Sequence, residues 1–295
     1  MVFISFPGLG IDEFSLNRVA FSVGRLEVRW YGIIIVLGII TAFLYAHMRS
    51  KEFGVSFDDL LDVALYTVIA GIVGARIYYV LSKLDSYTNF WDVFKIWEGG
   101  IAIYGAIIGG GLALFIVSRI KKLDIPSMFD AVAPGVMIAQ AIGRWGNFFN
   151  QEVFGKVVSE PSLQFFPYAV YIERLGEWHV ALFFFEMVAN LIVFALLFSF
   201  LMNYKGRRNW YAVSAYFIAY GTIRAIMEPM RDTEFNMGSL ILGLPIMSWF
   251  SILVIAGGAA ILSTLLVLDI KEKNYWWKDL FKKKEKPAET AEADE

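Results

Sequence analysis

The apolar residues of this 295-residue chain fall in blocks of about twenty, separated by short charged loops. A block of that length matches the rise of a helix across a bilayer's hydrocarbon core, and its unbroken apolar character excludes the alternating strand of a transmembrane barrel. Backbone polar groups in lipid must be satisfied within the helix itself, so any strands are confined to loops. The sequence therefore predicts an all-α polytopic membrane protein with seven transmembrane helices, near residues 30–48, 60–81, 96–117, 128–149, 180–202, 210–230 and 244–268. An odd number of crossings puts the two ends on opposite sides. Of the 26 Lys and Arg, fifteen lie in segments 49–57, 119–124, 204–209 and 269–295. The positive-inside rule makes those segments cytoplasmic and leaves the N-terminus and residues 150–178 outside.

The seven spans make one membrane domain, 1–268. It opens with residues 1–27, where Phe3, Phe6, Leu9, Ile11 and Phe14 mix with Asp12, Glu13 and Arg18. That mixture predicts a segment resting on the membrane interface. No basic start followed by an apolar core and a small-residue cleavage site is present there, so no removable signal peptide is expected. Residues 150–178, with Pro161 and Pro167 among Phe165, Phe166, Tyr168 and Tyr171, predict a small extracytoplasmic lobe placed to act as a lid. Residues 269–295 read as a cytoplasmic anchor, with Trp276, Trp277, Lys278 and Lys282 to Lys284 facing anionic lipid, followed by a disordered acidic tail.

Composition narrows the chemistry. The chain has no cysteine, two histidines (His47 and His179) and a net charge of −2. Disulfides, thiolate metal sites and a cysteine nucleophile of its own are excluded. There is no metal-ligand spacing and no glycine loop of the nucleotide-binding kind, so neither metal nor cofactor is expected, and the charge balance argues against a nucleic-acid partner.

Polar residues concentrate in Gly143–Gly155, GRWGNFFNQEVFG, at the end of an apolar block. An arginine near the bilayer centre costs roughly 2.5–3.5 kcal/mol, so Arg144 is expected to face a protein interior or a wet cavity holding an anion. Asn147 and Asn150 read either as helix-end caps or as site residues. Glu152 is placed to orient a guanidinium or accept a proton. In the sixth block Tyr220, Arg224, Glu228 and Arg231 recur at spacings of four, four and three, which puts them along one helix face. Arg224 and Glu228 can pair with each other, although burying such a pair is seldom repaid in stability alone. If that stripe turns toward Arg144, two guanidiniums converge, and their forked donors match phosphate oxygens. Arg76, in the second block, either pairs with Asp62, snorkels outward or joins the site. His47, His179 and Glu186 read as packing or hydrogen-bonding residues. Gly71, Gly74, Gly105 and Gly109 suit close helix contacts. The two halves show no inverted correspondence of broken helices, which argues against a secondary transporter.

The segment GRWGNFFNQEVFG resembles the signature of bacterial prolipoprotein diacylglyceryl transferases. The likeness continues through Arg29-Trp30-Tyr31-Gly32, Gly74-Ala75-Arg76 with Tyr79, Trp97-Glu98-Gly99-Gly100, and Tyr220-Gly221 with Arg224, Glu228 and Arg231. It covers nearly the whole chain except the acidic tail. The resemblance implies transfer of the diacylglyceryl group from phosphatidylglycerol to the lipobox cysteine thiol of a prolipoprotein signal peptide, with release of glycerol phosphate. The product is a thioether, and the reaction is the first step of lipoprotein maturation at the bacterial cell membrane. The thiol belongs to the substrate, which suits a catalyst without cysteine. Matching family positions imply functional roles for Tyr31, Arg144, Asn147, Glu152, Gly155, Tyr220, Arg224 and Glu228. The residue pattern adds Arg76, Asn150 and Arg231 as substrate-binding candidates. Tyr104 stands where many members carry a histidine. A phenol of pKa about 10 is a poor base at neutral pH, so Tyr104 is expected to donate a hydrogen bond to phosphate. Leu182 and Phe185 replace a common Thr and Tyr, which removes polar contacts. The competing function class is a carrier or scramblase for an anionic lipid, which also needs buried arginines but consumes no lipid.

Overall fold

The computed structural model describes residues 2–6, 11–24, 26–87, 89–201, 207–232, 234, 240–241 and 243–281. Its long helices are α1 (Trp30–Ser50), α2 (Phe57–Ser82), α3 (Ile103–Ile120), α4 (Ile125–Asn150), α5 (Leu182–Leu196), α6 (Tyr211–Met227) and α7 (Ile246–Lys271). Five of them, α1 to α4 and α7, are long and apolar enough to cross a membrane. The outward surface of α1, α2, α3 and α7 is made of side chains such as Val36, Leu65, Ile107 and Leu253. That surface suits lipid and would be costly in water.

The helices at α5 and α6 are shorter than the apolar blocks that predict them. The 15-residue α5 runs on as a π-helical stretch, Leu197–Leu201, and the 17-residue α6 ends in the 3₁₀ turn Glu228–Met230. The third helix starts at Ile103 rather than near residue 96, because Gly99 and Gly100 take φ values of 93° and 77° and interrupt it. Only glycine enters that region without strain.

Main packing partners are α2 with α3, α1 with α4, α6 with α7 and α4 with α5. The tightest of these is α2 on α3: a Cβ on Gly105 would stand 2.1 Å from the Gly74 carbonyl oxygen, and one on Gly109 would stand 2.3 Å from that of Ala70. Missing side chains let the two backbones touch, which substitutes for a hydrophobic drive that lipid cannot supply.

Among the described residues, strands lie before α1 and in the connections between helices. They are β1 (Val2–Phe6) with β2 (Ile11–Leu16), β3 (Val19–Val23) with β4 (Leu26–Arg29), β5 (Ala169–Ile172) with β6 (Glu177–Val180) and β7 (Leu240–Ile241) with β8 (Leu244–Pro245), each pair antiparallel. Within the segment 1–27, expected to be interfacial, the described stretches pair as β1 with β2 and β3 with β4, and β4 leads straight into α1, where Trp30 N–H donates to Arg18 O (3.1 Å). The expected lobe is the β5–β6 hairpin and its flanking loops. Its core of Phe154, Val170, Ile172 and Ala181 is continuous with Phe148 of α4 and Phe183 of α5, so it is seated on the ends of those two helices. In the anchor, the Trp276 indole N–H donates to Asp269 at the end of α7 (3.0 Å). The basic and acidic tail beyond residue 281 lies outside the described residues.

Candidate active site

The site begins where α4 stops. Gln151 takes φ 49°, a left-handed turn that ends the helix and folds Glu152 back, so that its N–H donates to the Asn147 carbonyl (3.0 Å). The Asn147 amide (3.1 Å) and the Asn150 amide (3.3 Å) then donate to the Glu152 carboxylate, and Arg144 donates to Asn147 Oδ1 (3.3 Å). Both asparagine side chains thus reach Glu152 rather than backbone groups of the helix end, and Asn147 also links Glu152 to Arg144.

Two more helices bring the countercharges. On α6, Arg224 pairs with Glu228 one turn away (2.5 Å), and Arg231 Nε reaches the same carboxylate (3.3 Å). On α5, Glu186 pairs with Arg144, with Arg231 (3.1 Å) and at longer range with Arg224 (3.9 Å). The helix 6 stripe does turn toward Arg144, and Glu186 is what joins them. Glu186, expected as a packing or hydrogen-bonding residue, is instead the carboxylate shared by three arginines. The signal was a lone carboxylate inside the apolar run Phe183-Phe184-Phe185-Glu186-Met187, where an ion costs most and so most needs a partner.

Direct ion pairing links three guanidiniums to two carboxylates, an excess of one positive charge. The exposures decide which way that charge faces: Arg144 and Arg224 side chains are 16% and 14% exposed, whereas Glu186 and Glu228 are 1% and 2%. The carboxylates are the deeper members of the cluster and the Arg144 and Arg224 side chains the more accessible ones. Forked guanidinium donors of this kind match the oxygens of an anion such as phosphate.

Aromatic residues wall this cluster. The Tyr31 ring lies on Gly146, where a Cβ would approach to 2.5 Å, and its hydroxyl is within the fields of Glu152 and Arg144. Tyr220 stacks on Tyr216 at 5.6 Å with planes 2° apart. Tyr104 sits at the start of α3 within the fields of Arg224 and Glu228, and its hydroxyl donates to Met247 Sδ (2.7 Å).

Two of the expected site residues support the site from outside it. Gly155 forms a backbone junction, donating to Val180 O (2.9 Å) and bridging Arg231, and a Cβ there would meet Val180 at 2.8 Å. It thereby ties the lobe to the segment that carries Arg231. Arg76 is buried away from the cluster and donates to the carbonyls of Asp92, Val93 and Gly99 (2.7 Å each) and Gly100 (2.8 Å). It holds the loop before α3. Its expected alternatives fall away, since it neither snorkels nor pairs with Asp62, which binds Lys121 (2.6 Å). His179 is buried with Nδ1 2.8 Å from Gly155 O, and His47 packs on Phe43 and Phe57, as packing residues do.

Fold and site define a class: a polytopic helical membrane protein with a buried cluster of guanidiniums and carboxylates inside its bundle. Residues 18–264 match the family model for prolipoprotein diacylglyceryl transferase, and the chain belongs to that family. It is 42% identical over 220 residues, 73% of this chain and 83% of the relative, to phosphatidylglycerol–prolipoprotein diacylglyceryl transferase 1 of Clostridium perfringens. The corresponding enzymes of Thermotoga maritima (36% over 246 residues, 81% of this chain and 83% of theirs) and Streptococcus pneumoniae (37% over 251 residues, 83% and 93%) are similarly related.

Proposed function

We infer that this chain is a transferase that moves the diacylglyceryl group of phosphatidylglycerol to prolipoproteins, the first step of lipoprotein maturation; its family membership carries that reading. The acceptor is the lipobox cysteine thiol of the signal peptide. Sulfur attacks the glyceryl carbon, the C–S bond forms as the C–O bond breaks, and the bonding electrons leave on an oxygen of glycerol phosphate. Negative charge on the phosphate grows as that bond breaks, so donors fixed around it favour the transition state over the bound lipid. The supporting observation is that Arg144 and Arg224 are the more accessible members of the cluster and Glu186 and Glu228 the deeper ones. Arg231, Tyr220 and Tyr31 complete the head-group wall.

The thiol proton goes to Glu152. Unlike Glu228, which is spent on Arg224 and Arg231, Glu152 is held only by neutral carboxamides and is half-buried at the rim. Tyr104 offers its proton to a methionine sulfur, a weak acceptor readily exchanged for a phosphate oxygen. The proposed setting is the bacterial cytoplasmic membrane with seven spans, the N-terminus and the 150–178 lobe outside and the 269–295 anchor inside, a reading that rests on the apolar blocks and the Lys and Arg bias of the loops.

The test mixes purified protein with phosphatidylglycerol and a lipobox peptide bearing cysteine or serine at the acceptor position, and follows peptide mass and glycerol phosphate. Both products should form with cysteine alone. A carrier of anionic lipid would give neither.

A further inference from the structure

One turn beyond Glu186 on α5, Asn190 is 1% exposed and neither its Nδ2 nor its Oδ1 has a hydrogen-bond partner. Among the described residues it is the one buried carboxamide with both polar atoms unmet. Its neighbours follow from the helix register. The contacts Arg144–Glu186, Trp145–Met187 (3.1 Å) and Phe148–Phe183 (ring centroids 5.2 Å) show α4 and α5 running antiparallel, so a step back along α4 is a step forward along α5. Asn190 is therefore level with the turn of α4 that carries Gln140. Gln140 gives its Nε2 to the Tyr216 hydroxyl of α6 (3.0 Å) and leaves a buried Oε1 unpartnered. Three helices thus contribute uncharged polar groups to one layer, about 5.4 Å deeper in the bundle than the guanidinium cluster.

An amide N–H without an acceptor in an apolar interior is expensive to keep, and its retention points to an acceptor brought from outside. Taking the guanidinium cluster as the phosphate site, on which this argument rests, a phospholipid held there has its ester carbonyls on the deeper side, between phosphate and acyl tails. Those carbonyls are acceptors without donors of their own. We propose that Asn190, in the layer shared with Gln140 and Tyr216, is a second substrate subsite that hydrogen-bonds an ester carbonyl of the diacylglyceryl group and so seats the glyceryl carbon against the thiol.

The test compares diacyl phosphatidylglycerol with its dialkyl ether analogue of equal chain length, using the purified enzyme and a lipobox peptide, with kcat and KM measured separately. A site built to bond a polar group rejects the analogue that lacks it. The wild type should favour the ester lipid by about tenfold or more in kcat/KM, and Asn190→Leu, which keeps the volume but loses the donor, should bring the ester lipid down to the rate of the ether lipid while leaving the ether rate unchanged. Asn190→Ser, smaller but still a donor, should keep part of the preference. Equal use of both lipids by the wild type overturns the proposal without any variant. A parallel loss on both lipids in Asn190→Leu also overturns it, since packing or a buried water alone would act that way. Absence of thiol-dependent transfer from either lipid would instead bring down the transferase reading.

Discussion

Arg144 uses one terminal nitrogen on Glu186 and the other on Asn147, and Arg224 pairs with Glu228, so each planar guanidinium is fixed in orientation while its side chain stays partly exposed. Lysine preserves the charge but has no planar fork. Arg144→Lys and Arg224→Lys are therefore each expected to lower turnover by at least about a hundredfold, the effect of losing one preorganised donor, with thermal stability in the same detergent preparation nearly unchanged. Well-folded lysine variants with near-normal transfer would sink the clamp. Glu186→Gln should behave oppositely. It strips the shared counterion from buried arginines, a loss of about 3–5 kcal/mol, so its melting temperature and membrane yield should fall together with activity. Glu152→Gln keeps an acceptor for Asn147 and Asn150 but removes the proton acceptor, and turnover should collapse while the melting temperature holds; full turnover would free Glu152 from that role. The sequence made Arg144 visible because a charge in an apolar block stands out, and Arg224, Glu228 and Arg231 because they also recur along one helical face. Glu186 stayed in the background because its partners come from α4 and α6, and no local spacing encodes a contact made across three helices.

Element by element, long helices were the most legible part, since an apolar block in lipid has few alternatives to a helix. Their ends were less so. The start of α3 shifted because Gly99 and Gly100 break the chain there, and the end of α5 blurred into a π-helical stretch. The strand pairs before α1 and in the lobe escaped prediction for a different reason: short strands with mixed polarity take their register from turns and neighbours, which composition does not reveal. Glycine pairing, by contrast, was readable and makes a quantitative forecast. Gly105→Ala would drive a Cβ to 2.1 Å from the Gly74 carbonyl oxygen, and the helices must part to admit it. A loss of about 1–3 kcal/mol is expected from such overpacking, seen as earlier thermal unfolding. Gly111→Ala, on the same helix but with open space at its Cβ position, should unfold as the wild type does.

For the whole molecule, the undecided quantity is the number of crossings, because α5 and α6 are too short to count by length and hydropathy alone. Their contacts along α4 bear on it. The 26-residue α4 is about 39 Å long, enough to cross by itself. Near its start, Asp130 binds Arg207 (3.1 Å) and the Val213 N–H (3.0 Å), while Asn209 reaches Asp124 (2.8 Å). Near its end, Arg144 meets Glu186 of α5, whose other partners are Arg224 and Arg231 of the α6 segment. The chain therefore travels the length of α4 twice between the lobe and Arg231, down through α5 and back through α6. Each of the two is expected to cross the membrane, with its short π or 3₁₀ extension making up the missing length. Because the natural chain has no cysteine, a single introduced thiol reports its own side without background. Ser162→Cys in the lobe and Lys205→Cys in the connection after α5 should react with a membrane-impermeant maleimide from opposite faces, Ser162→Cys from outside intact cells and Lys205→Cys only after the membrane is opened. Labelling of both from outside would mean that α5 does not cross, and the seven-span arrangement would give way to five.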